Sequence, residues 1–114
     1  MRRSSKAGRY AERVLSGVDD AGAPEEVVIW LERRRGGLWA VGRAVNPRQR
    51  RTEDPRADDY LFEGYELDDA LEHANGVLED DVAVLEQEGH DGNVRPFTRQ
   101  EVLPALERWF FRGS

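Results

Sequence analysis

The sequence predicts an α+β fold: a short N-terminal helix, a three-stranded antiparallel meander, and two C-terminal helices packed mainly on one sheet face. Three observations carry this expectation. Two runs rich in β-branched and aromatic residues flank Gly36 and Gly37, an apolar stripe at helical spacing runs from Leu67 to Leu85, and a shorter stripe lies near the N-terminus. At 114 residues, 39% hydrophobic and 35% charged, the chain suits one compact domain over residues 1–114. Residues 1–5 are expected to be mobile. The final Arg112, Gly113 and Ser114 resemble a tag junction and are left out of the fold reasoning.

In chain order, residues 5–16 place Ala7, Tyr10, Ala11, Val14 and Leu15 on one side of an amphipathic helix, and Gly17 follows as its stop. GVDDAGAPEE is turn-rich, and Pro24 ends any continuing helix. EVVIWLERR at 26–34 and LWAVGRAV at 38–45 form a hairpin across the Gly-Gly turn. Alternation sets Val28, Trp30 and Glu32 against Val27, Ile29 and Leu31, and sets Leu38, Ala40, Gly42 and Ala44 against Trp39, Val41, Arg43 and Val45. NPRQRRTEDPRA at 46–57 lacks large apolar residues and reads as an exposed loop.

DDYLFEGYE at 58–66 is the third strand, with Tyr60 and Phe62 on one face, Leu61 on the other and a bulge at Gly64. The strongest periodicity predicts a helix over about 68–88, with Asp69 and Glu72 as a capping box or Asp68 as N-cap, and Gly89 as its stop. Gly76 inside it suggests close packing on the sheet. After the turn segment GHDGNVRP, Thr98 and Glu101 form a second capping-box pattern. A terminal helix then carries Val102, Leu103, Leu106, Trp109 and Phe110 on one face, with Pro104 bending it or shifting its start.

Function is approached through charge. The net value of -6 divides into +5 over residues 1–56 (thirteen basic, eight acidic) and -11 over residues 57–114 (four basic, fifteen acidic). Such asymmetry flags interaction. Arg33, Arg34 and Arg35 at the hairpin tip, with Arg48, Arg50, Arg51 and Arg56 in the following loop, could engage phosphates, and Trp30 or Trp39 could stack on unpaired bases. The same arginines could instead offset the acidic helix. On that helix Asp68, Asp69 and Glu72 suit the N-terminal dipole, whereas Glu79, Asp80 and Asp81 have no such role and could meet a basic partner. Trp109, Phe110 and Phe111 cannot all point inward from one helix, so at least one is a candidate anchor for a partner or a second copy.

WAVGRAVNPRQ at 39–49 resembles the WGR-domain pattern of nucleic-acid-linked proteins over about residues 27–78. Here Ala40 and Val41 separate Trp39 from Gly42 and Arg43, which are contiguous in that family, so no family function is carried over. The chain has no cysteine, which removes disulfides, thiolate metal sites and cysteine nucleophiles. His73 and His90 alone make an incomplete metal or acid–base site, and no nucleotide-binding, nucleophile-elbow or zincin motif occurs. The N-terminus lacks a signal-peptide core, and no apolar run is long enough to cross a bilayer. The expectation is a soluble cytoplasmic protein, not an enzyme, with no cofactor or membrane partner. It would be a protein-interaction or adaptor domain that forms homo-oligomers, or alternatively a nucleic-acid-binding module.

Overall fold

A computed structural model describes residues 9–50, 55–90 and 92–102. Four strands, β1 (Arg9–Val18), β2 (Pro24–Arg33), β3 (Trp39–Val45) and β4 (Tyr60–Gly64), form one antiparallel sheet in the order β1-β2-β3-β4. One main helix, α1 (Leu67–Gln87), follows them. This corrects the predicted fold: the N-terminal helix is a strand, the meander has four strands, and α1 is the main helix. Residues 99–102 are helical. The rest of the predicted terminal helix lies outside the described residues, as do residues 1–5 and 112–114.

The N-terminal correction has a specific cause. Ala11, Arg13 and Leu15 are buried while Glu12, Val14 and Ser16 are exposed, which is the period of a strand. An arginine in the middle of the inward row hides that alternation, and outward-facing Val14 beside Leu15 imitates helical spacing. Arg13 is tolerated inside because its guanidinium donates to both Glu101 carboxylate oxygens at 2.7 Å, to the Arg95 carbonyl at 2.8 Å and to the Pro96 carbonyl at 3.0 Å. It also lies 4.5 Å from the centre of the Phe97 ring. A buried cation needs such a set of partners.

The alternation expected along β2 and β3 is observed. Ile29, Leu31, Trp39 and Val41 face α1 and meet Ala70, Leu71, Ala74 and Leu78, with Phe97 and Val102 completing that core. Val28, Trp30 and Ala44 form a second cluster on the other face, joined by Tyr60. The turn between these strands uses Gly36 and Gly37 at φ +78° and +83°, a region disfavoured by side chains with a Cβ.

On β4, Val41 pairs with Phe62 but Gly42 pairs with Tyr60, so Leu61 is the extra residue of a bulge. The bulge therefore lies at Leu61 and not at Gly64, and it puts Tyr60 and Phe62 on opposite faces. Tyr60 reaches Trp30, while Phe62 packs on the α1 side and stacks on His73 with ring centres 4.9 Å apart.

α1 begins after Glu66, which makes no side-chain cap, so the predicted caps at Asp68 and Asp69 are absent and Asp68 pairs with Arg99 instead. Its end is a Schellman arrangement: the His90 N–H donates to the Leu85 carbonyl at 2.9 Å and the Gly89 N–H to the Glu86 carbonyl at 3.1 Å. Nothing lies within 4 Å of where a Gly76 side chain would begin, so its expected close packing is not found. Gly76→Ala should stabilise the protein by about 1 kcal/mol through helix propensity alone, read as a higher urea midpoint with an unchanged slope.

Candidate functional site

β3 separates the arginines that the sequence groups together. Arg33, Arg34 and Arg35 lie before its first residue and Arg48 and Arg50 after its last, about 20 Å apart along an extended strand. Several are engaged locally. Arg33 stacks 4.7 Å from the Trp39 ring centre. Arg50 binds Asp59 through two hydrogen bonds of 2.8 and 2.9 Å, and that contact holds the Asp59 carboxyl below its ordinary range against the opposing effect of burial. Arg48 is exposed and approaches Glu26 only at 3.7 Å. Arg35 and Arg56 are exposed, and Arg51 lies outside the described residues.

Arg34 belongs to a network that the sequence reading did not select. Ala40 and Gly42 leave the middle strand without bulk on this face, so side chains from β2 and β4 meet above it. Trp30 and Tyr60 touch edge to face with ring centres 5.7 Å apart. Glu32 accepts from the Trp30 indole at 2.9 Å, the Tyr60 hydroxyl at 3.0 Å and Arg34 Nε at 3.1 Å. Arg34 also pairs with Glu63 and lies 4.2 Å from the Tyr60 ring centre.

Burial pushes the Tyr60 phenol above its ordinary value; Arg34 opposes that and Glu32 reinforces it. The phenol therefore stays protonated near neutrality and serves as a hydrogen-bond donor. The sequence signal for this network was Glu32 alternating onto the Trp30 face opposite two small residues. A shallow concavity of about 610 Å³ beside it is lined by Arg34, Ala57, Tyr60, Leu61, Phe62 and Glu63.

The acidic helix candidates take three different places. Asp81 is bound by Arg43 of β3 through hydrogen bonds of 2.7 and 2.9 Å, which ties α1 to the sheet. Asp80 is exposed. Glu79 borders a concavity of about 370 Å³ that also contains Asn75, Leu78, Val82, Ala83, Glu86, Val94 and Pro96. Its α1 residues follow the spacing of one helical stripe. The opposite wall, residues 94–96, is anchored twice: Asn75 exchanges two hydrogen bonds with the Phe97 backbone, at 2.7 and 3.0 Å, and Arg13 holds the carbonyls of Arg95 and Pro96. Trp109, Phe110 and Phe111 lie outside the described residues.

No family model, curated protein or solved structure matches this chain. The WGR-domain resemblance thus has no family match behind it, and the site is read from its own geometry. Among the described residues, no group of three or more histidines, cysteines or carboxylates is placed to hold a metal ion, and no helix is long and apolar enough to cross a membrane.

Proposed function

We propose that this chain is a non-enzymatic protein-interaction domain that self-associates along β1. The observation that carries this reading is the form of that edge. β1 is ten residues long, keeps an unbroken register with β2 from Ala11 to Val18, and among the described residues pairs with no other strand. Its outward valines, Val14 and Val18, are 46% and 42% exposed. An exposed edge with apolar side chains is a template for adding another strand. The opposite edge is less suited, because β4 has five residues and a bulge. A two-fold pairing of β1 with its copy would satisfy both edges with one interface.

The nucleic-acid reading draws on exposed Arg35, Arg48 and Arg56. It has less support, because Arg34 and Arg50 are neutralised by carboxylates.

Light scattering tests both readings. The expected result is a species of twice the 13.0 kDa chain mass, unchanged by mixed oligonucleotides at low or moderate salt and converted to monomer by Val14→Lys. A monomer at every concentration overturns the self-association reading. A salt-sensitive mass increase with oligonucleotide moves the function to the arginines. A dimer that survives Val14→Lys and dissociates in Trp109→Ala places the interface at the C-terminal aromatics.

A further inference from the structure

We propose that the groove between α1 and residues 94–96 binds a cationic amphipathic peptide segment of a partner protein. Its apolar surface comes from Leu78, Val82, Ala83, Val94 and Pro96. A volume of about 370 Å³ accommodates a few side chains, as a peptide would present, and lies at the small end of ligand pockets. Both walls are fixed before anything binds, since Asn75 and Arg13 hold the 95–97 backbone. A preformed groove loses less ordering entropy on binding.

Charge selects the occupant. Glu79 and Glu86 stand seven residues apart on the groove stripe, about 10 Å along the helix axis. Neither has an ion-pair or hydrogen-bond partner among the described residues, although Asp81, Asp68 and Glu101 each have an arginine. The stem of Glu86 lies over Gly92, where an added Cβ would come within 2.6 Å of it, so this carboxylate is positioned by packing. Two carboxylates without a partner among the described residues, bordering an apolar strip, match a segment with apolar anchors and lysine or arginine beside them. The same carboxylates repel phosphate, which disfavours nucleic acid and anionic lipid at this place.

The described residues that follow the groove, 97–102, lead away from it. From Pro96 the backbone passes Asn75 at Phe97 and reaches Asp68 through Arg99, so it runs toward the N-terminus of α1. Residues 97–102 are therefore not the occupant.

The test is fluorescence anisotropy of the full chain with three labelled peptides: one with leucine and lysine at helical spacing, one with every lysine changed to glutamine, and one with the first peptide's residues shuffled. The first should bind tightest, and Glu79→Gln combined with Glu86→Gln should weaken it about tenfold, with Asp80→Asn as an off-groove control that changes little. Ala83→Arg, at an exposed position, should remove binding while thermal unfolding stays as in the wild type. Equal binding of the shuffled peptide overturns the proposal, because attraction to an acidic chain would then suffice. Equal binding of the glutamine peptide overturns the charge selection. Loss of a dimer in Ala83→Arg also overturns it, by giving the groove to a second copy. None of these three results bears on β1, whose own test is Val14→Lys.

Discussion

Gly42→Val is expected to lower stability by about 3 kcal/mol or more, the upper end for overpacking a filled site. Gly42 lies in the middle of β3, and a Cβ built there overlaps the five- and six-membered rings of Trp30. The ring has little room to withdraw. Trp30 is 1% exposed, its indole N–H donates to Glu32, and its edge meets Tyr60. Moving it would also disturb the carboxylate that Tyr60 and Arg34 share. The valine's β propensity is worth at most about 1 kcal/mol and cannot offset this clash. Urea denaturation should show a large fall in midpoint, while Gly76→Ala, where no atom stands in the way, should move it upward. A Gly42→Val midpoint within error of wild type would mean that the Trp30 ring is not held over β3.

The contrast between the two glycines shows which features could be read from the sequence. α1 and the two faces of β2 and β3 were legible, because their apolar periods are uninterrupted and local. β1 was not, since its inward row includes Arg13, whose partners Arg95, Pro96 and Glu101 lie more than eighty positions away. The face of Tyr60 depended on a bulge at Leu61 that alternation alone cannot reveal.

The acidic run illustrates the same limit at the candidate site. Glu79, Asp80 and Asp81 are adjacent in sequence, but helical geometry turns one toward the groove and one toward Arg43. The arginines form one group in the sequence because their spacing there is short. An intervening strand separates their backbone positions, and carboxylates at Glu32, Glu63 and Asp59 already meet Arg34 and Arg50.

Arg13→Met should cost about 3 kcal/mol at neutral pH, because it leaves a half-buried Glu101 without its guanidinium and two carbonyls without their donor. Adding Glu101→Met to that variant should recover part of the loss, since the unpaired carboxylate is then gone. The effect has a definite pH dependence. The Arg13 hydrogen bonds hold the Glu101 carboxyl below its ordinary 4.5, with burial opposing and the Arg13 charge and the Thr98 N–H assisting. A depressed folded value means that the stabilisation is fully present above 4.5 and is lost as pH falls through the folded value. The stability gap between wild type and Arg13→Met should therefore be constant near neutrality and shrink as the pH falls below 4.5 and through the folded value. The Asp59–Arg50 pair titrates alike in both proteins and cancels from this difference.

A gap that does not change with pH would show that the arginine acts by packing over Phe97 and not through Glu101. Because the same side chain holds the carbonyls of Arg95 and Pro96, the variant should also lose amide-exchange protection over residues 94–97. It should bind the cationic peptide more weakly while Glu79 and Glu86 are intact. Loss of affinity by that route would trace the shape of the groove to an arginine on the opposite side of the core, reaching it through the backbone of its outer wall.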